Sequence, residues 1–107
     1  MLATVHPGEY LALLAQNERV VLDVRTAKEY DEGHIAGSKN LDFYSQTFAD
    51  ELDALDKHTP YLIYCRSGNR SGQTLALMES LGFTNVIDLE GGVLAWESGG
   101  NSLCVNC

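Results

Sequence analysis

The sequence predicts an α/β fold with a mainly parallel central sheet, and three observations lead there. Short apolar runs rich in β-branched and aromatic residues recur along the chain. Segments with helical spacing separate them. No linker, repeat or shift in composition divides the 107 residues, so the alternation belongs to one domain.

Taken in order, Tyr10 to Ala15 follows Pro7-Gly8 and suits a helix started by proline. Val20-Val21-Leu22-Asp23-Val24 reads as a buried parallel strand, and Ala27 to Glu32 as a short charged helix. A weaker strand lies around Ser38-Lys39-Asn40-Leu41. Phe48, Leu52 and Leu55 fall on one face of a helix over 48–55. Tyr61-Leu62-Ile63-Tyr64 is a second buried strand, with Pro60 at its start, where a missing N–H matters least. The spacing of Leu75, Met78 and Leu81 predicts a helix over 71–81, ended by Gly82. Asn85-Val86-Ile87-Asp88-Leu89 is a further strand that stops at Gly91-Gly92.

A chain of this length buries one core without staples. Its 45% hydrophobic and 21% charged residues are an ordinary globular mixture. The net charge of -8 argues against binding nucleic acid or an anionic membrane, both of which need a basic surface. Any site for a small anion must therefore be built from local donors. No apolar run has the length of a membrane span. The first residues also lack the pattern of a signal peptide, so the expectation is a cytoplasmic protein.

Cys65, Cys104 and Cys107 are the three cysteines, an odd number that does not suggest a disulfide framework. Cys65 follows a buried strand and precedes Arg66-Ser67-Gly68-Asn69-Arg70-Ser71, a short loop that runs into a helix. Ligands of open α/β sheets bind beyond the carboxyl ends of strands, where this cysteine lies. A tight strand-to-helix turn aims backbone N–H groups inward as an anion nest, and the helix N-terminus adds partial positive charge. Arg66 and Arg70 add two full charges, and Gly68 and Asn69 tolerate the left-handed dihedrals of a tight turn. Each effect favours the thiolate, which is the nucleophile.

The segment from Cys65 to Ser71 resembles the active-site loop of rhodanese domains. Leu22-Asp23-Val24-Arg25 with Glu29-Tyr30, Gly33-His34-Ile35-Ala36-Gly37-Ser38, and Gly91-Gly92-Val93-Leu94-Ala95-Trp96 resemble three further motifs of that family, in the same order. The resemblance spans about residues 4–97. It implies a rhodanese-like domain over 1–97, with helices on both faces of the sheet, and a tail over 98–107 that carries a C-x-x-C. It also implies a sulfurtransferase, with Cys65 as the nucleophile and Arg66, Ser67, Gly68, Asn69, Arg70 and Ser71 as the substrate-binding loop. Cys65 would take the outer sulfur of a small anionic donor such as thiosulfate. It would then pass that sulfur from a persulfide to cyanide, a thiol or a protein acceptor, with no metal or organic cofactor. The alternatives are a phosphatase or arsenate reductase on the same scaffold, and a relay dedicated to one partner protein. Phosphatases that resemble the family carry one more residue in this loop. Cys65 to Arg70 is C-x4-R, the shorter form, which suits a sulfane sulfur better than a bulkier phosphoryl group.

Within the loop, Ser67, Gly68, Asn69 and Ser71 are expected to act through their backbone, with Ser71 also a candidate helix cap. Arg70 is equally suited to tying the loop down. Asp23, Arg25 and Glu29 read as a structural polar cluster, with Arg25 and Glu29 at helical pairing distance. In its motif, His34 reads as a residue that hydrogen-bonds backbone, and Trp96 reads as core. The acidic run Asp50, Glu51, Asp53 and Asp56 reads as a solvated helix face. The residues from Ser98 onward carry no core signal and read as a frayed tail. Its Cys104-Val105-Asn106-Cys107 can cycle between dithiol and disulfide, and the length of the tail from Ser98 does not by itself forbid contact with Cys65.

Overall fold

The computed structural model describes residues 1–107. In chain order the elements are β1 (Leu2–Val5), α1 (Pro7–Gln16), β2 (Val20–Asp23), α2 (Ala27–Glu32), β3 (Lys39–Asn40), α3 (Phe48–Asp53), β4 (Tyr61–Tyr64), α4 (Asn69–Ser80), β5 (Val86–Leu89) and α5 (Gly92–Ser98). The strands form one sheet in the order β1-β5-β4-β2-β3. Every pairing is parallel, so the sheet is wholly rather than mainly parallel.

β4 is the central strand, and all four of its residues are buried. Its side chains alternate between two cores, as the pleat requires. Leu62 and Tyr64 join Tyr10 of α1 and Val93 and Trp96 of α5 on one face. Tyr61 and Ile63 join Phe48 and Leu52 of α3 and Met78 of α4 on the other. A strand buried on both faces needs apolar residues at every position, which is why Tyr-Leu-Ile-Tyr has no polar interruption.

The structure differs from the sequence expectations at several ends. α1 begins at Pro7 rather than Tyr10, because the His6 ring nitrogen accepts the Glu9 N–H at 3.2 Å and caps the helix. α4 begins at Asn69, two residues before the expected start, with Gly68 as its N-cap in the left-handed region at φ 105°. Two elements were not anticipated: the edge strand β1 and the helix α5. The C-terminal residues are not frayed. Leu103 packs on the core shared by α1 and α5. Cys104 forms an antiparallel bridge with His34, and Cys104 and Cys107 are joined as a disulfide. No helix is long and apolar enough to cross a membrane.

Candidate active site

Cys65 is the residue after β4, at the carboxyl end of the central strand, and it is buried. The loop that follows lies between two helix N-termini. α4 continues from it, and α5 grips it from the side. The N–H groups of Val93 and Leu94 donate to the carbonyl oxygens of Cys65 and Arg66 at 3.0 and 3.1 Å. This close approach requires glycine at 92. A Cβ there would lie 2.5 Å from the Cys65 carbonyl oxygen and nearer still to that of Arg66, and the residue has φ +58°.

With the Cys65 and Arg66 carbonyls held by α5, the loop turns the Gly68 amide toward the sulfur. Gly68 N–H donates to Cys65 Sγ at 3.1 Å, and the Ser71 hydroxyl donates to it at 3.3 Å. The N–H groups of Arg66, Ser67, Asn69, Arg70 and Ser71 meet no backbone acceptor. Donors left free in a tight loop beside a thiol can stabilise negative charge on its sulfur or on a group bonded to it.

Ser71 contributes more than its backbone. It does not cap α4, which has no side-chain cap. Its hydroxyl instead reaches Cys65 Sγ and, at 3.5 Å, the Gly68 carbonyl. Behind it lies Asp88 of β5, fully buried, whose Oδ2 accepts from Thr4 at 3.4 Å and whose Oδ1 has no partner. Burial pushes the Asp88 carboxyl up to about 6, against the opposing hydrogen bond of Thr4. Sequence reading passed over Asp88, although a carboxylate inside Val-Ile-Asp-Leu was a visible signal.

The two arginines separate in role. Arg70 turns back to Glu29 of α2 in a two-pronged ion pair at 2.7 and 3.0 Å, and lies over the Tyr44 ring. That pair, with the Thr26 cap, holds the Glu29 carboxyl down at about 2. The expected pairing of Arg25 with Glu29 gives way to this one. Arg25 is buried against Asp23 at 2.7 Å and donates to the Gly33 carbonyl at 2.6 Å. Arg66 is exposed and makes no ion pair. With Arg25, Glu29, Glu32, Glu97, Leu94 and Leu103 it lines a groove of about 280 Å³, where it is the one cation without an ion pair. Ser67 and Asn69 are exposed at the loop rim. His34 bonds backbone, with Nδ1 2.8 Å from the Tyr30 carbonyl and Nε2 3.0 Å from that of Cys107.

A parallel sheet with a cysteine cradled at the end of its central strand defines the class, and the chain belongs to the rhodanese-like domain family, which it matches over residues 6–99. It is 37% identical over 94 residues to the thiosulfate sulfurtransferase GlpE of Pseudomonas entomophila, covering 88% of this chain and 84% of the relative. The Pseudomonas aeruginosa protein of the same name is 34% identical, with 84% and 80% covered. Among solved structures, a rhodanese-related protein from Thermoplasma volcanium superimposes with a TM-score of 0.85 at 26% identity, covering 97% of this chain and 99% of its own. A rhodanese-like domain protein from Staphylococcus aureus gives 0.80 at 28% identity, covering 98% and 99%.

Proposed function

We propose that the protein is a thiosulfate sulfurtransferase that carries sulfur as a persulfide on Cys65. The observation that supports it best is the pair of donors on Sγ, Gly68 N–H and the Ser71 hydroxyl, in a loop whose other amides meet no backbone acceptor. In the first step the Cys65 thiolate attacks the outer sulfur of thiosulfate. The sulfur–sulfur bond of the donor breaks, and sulfite leaves with the electron pair. The new terminal sulfur is anionic and rests among the loop amides. In the second step a thiophilic acceptor attacks that sulfur and the Cys65 thiolate is restored.

The remaining residues divide the work. Arg66, unpaired at the groove beside the loop, attracts the anionic donor against the net charge of -8. Arg70 holds the loop to α2 through Glu29. Ser67, Gly68 and Asn69 present backbone amides. The names of the GlpE relatives support thiosulfate as the donor. Cyanide serves as the acceptor in an assay, and a thiol or protein thiol is the natural class. The test is thiosulfate-to-cyanide turnover by the parent protein and by Cys65→Ser. The parent is expected to form thiocyanate and the folded variant to form none above background. Turnover by a folded Cys65→Ser protein overturns the proposal.

A further inference from the structure

The chemistry at Cys65 leaves one reactive pair unused, Cys104 and Cys107. The tail that carries them packs on α5, the helix whose first turn grips the loop. Asn101 N–H donates to the Trp96 carbonyl at 3.1 Å, and Trp96 Nε1–H donates to that of Ser102 at 3.3 Å. Leu103 then lines the groove that Arg66 lines from the loop side. The groove therefore has a neighbour of Cys65 in the chain on one wall and a neighbour of Cys104 on another. Cys104 is partly buried and held to His34 by two backbone hydrogen bonds, at 2.7 and 3.0 Å. Cys107 is exposed, with its Sγ 3.8 Å from His34 Nε2.

We propose that the reduced tail is an internal acceptor, in which Cys107 takes the sulfane sulfur from Cys65 and Cys104 expels it as hydrogensulfide. The proposal rests on the Cys65 persulfide. Measured from Cys104, which His34 holds, the three residues to Cys107 span up to ~10 Å. In the reduced tail the two cysteines differ in suitability. The exposed terminal one can swing once its carbonyl leaves His34 Nε2, and the anchored one can resolve.

The steps balance without an outside reagent. The Cys107 thiolate attacks the terminal sulfur of the Cys65 persulfide, the sulfur–sulfur bond breaks, and the Cys65 thiolate leaves. Cys107 now carries the persulfide. The Cys104 thiolate attacks Cys107 Sγ, hydrogensulfide leaves, and the Cys104–Cys107 disulfide closes. The sulfane sulfur gains two electrons and the dithiol loses two, while the two thiol protons pass to solvent or to the departing sulfide. The disulfide form is the product state, and a low-molecular-weight thiol or dithiol reduces it for the next cycle.

The test uses the full chain, reduced and freed of reductant, given one equivalent of thiosulfate with no cyanide or thiol present. Sulfide is followed with time, and the sulfur on each cysteine by mass spectrometry. The parent protein is expected to release sulfide at a rate independent of protein concentration and to finish with the tail oxidised. The Cys104→Ser/Cys107→Ser variant is expected to load Cys65 and then hold the sulfur, with discharge slowed roughly tenfold or more by loss of an acceptor at high effective concentration. Cys104→Ser alone is expected to stop with the added sulfur on Cys107. Equal discharge by the parent and the double variant, after normal loading of Cys65, overturns the tail relay alone. Failure of both proteins to load Cys65 overturns the persulfide reading, and the relay with it.

Discussion

Substituting Gly92→Ala perturbs the contact by which α5 holds the cysteine loop. The new Cβ would lie 2.5 Å from the Cys65 carbonyl oxygen, and closer to that of Arg66. Both obstacles are backbone, and both already accept hydrogen bonds from α5. They cannot move aside without opening the loop. Two costs add. A side chain at φ +58° costs about 1–2 kcal/mol, and overpacking against a fixed backbone about 1–3 kcal/mol. The expected loss is therefore about 2–5 kcal/mol. Gly37→Ala is the control, because Gly37 has φ +85° but nothing within 4 Å of its Cβ position. It should show the backbone cost alone, about 1–2 kcal/mol. Urea unfolding of the parent and both variants measures the difference, with unchanged slopes confirming a common unfolded state. Gly92→Ala is also expected to slow sulfur loading of Cys65, and Gly37→Ala to leave it unchanged. If the two variants are equally stable and load equally, α5 does not position the loop.

Three further outcomes follow from the site. The Asp88 carboxyl, raised from 3.8 to about 6, binds its proton more tightly in the folded state, so stability falls as pH rises from about 4 to 6 and the full penalty is present above. Asp88→Asn should then stabilise the protein by on the order of 2–3 kcal/mol at pH 8 and by little at pH 4, measured by urea unfolding; an equal gain at both pH values would refute the shifted carboxyl. Glu29, held at about 2 chiefly by Arg70, contributes stability that is present above about pH 4.5 and lost as pH falls through about 2. A double-mutant cycle of Glu29→Gln and Arg70→Ala should give a coupling of about 1 kcal/mol at neutral pH, shrinking with acid, since the pair is partly exposed; a coupling that does not change with pH would contradict the pair. Arg66→Ala should lower kcat/KM for thiosulfate by about ten- to a hundredfold with stability unchanged, as for a lost charge-assisted hydrogen bond; unchanged kinetics would show that the amides suffice.

Much of this architecture was legible in the residues because the determining signals are local. The strand Tyr61–Tyr64 is apolar throughout because it is buried on both faces. The placement of Cys65 after it follows from where a parallel strand must end. What escaped reading depends on distant partners. β1 is Leu-Ala-Thr-Val, a weak strand signal, and it forms because β5 offers it a parallel edge. Spacing alone puts Glu29 within reach of Arg25 if the turn between them is helical, but Asp23 holds Arg25, and Arg70, 41 residues away, takes Glu29. The tail gave no core signal because its docking rests on hydrogen bonds to His34 and Trp96 and on one leucine, features without periodicity. The role of Ser71 was hidden for a related reason. At a helix start a serine reads as a cap, but a left-handed glycine supplies that turn and frees the hydroxyl for the sulfur.

The central claim is that Cys65 itself carries the sulfur. Its most direct test is mass spectrometry of the intact protein and of its peptides after treatment with thiosulfate, with Cys104 and Cys107 replaced by serine so that only one thiol remains. The result expected is a gain of one sulfur atom on the peptide that contains Cys65, removed by cyanide as thiocyanate. A protein that is folded yet gains no sulfur there, or whose added sulfur cyanide cannot remove, would contradict the account.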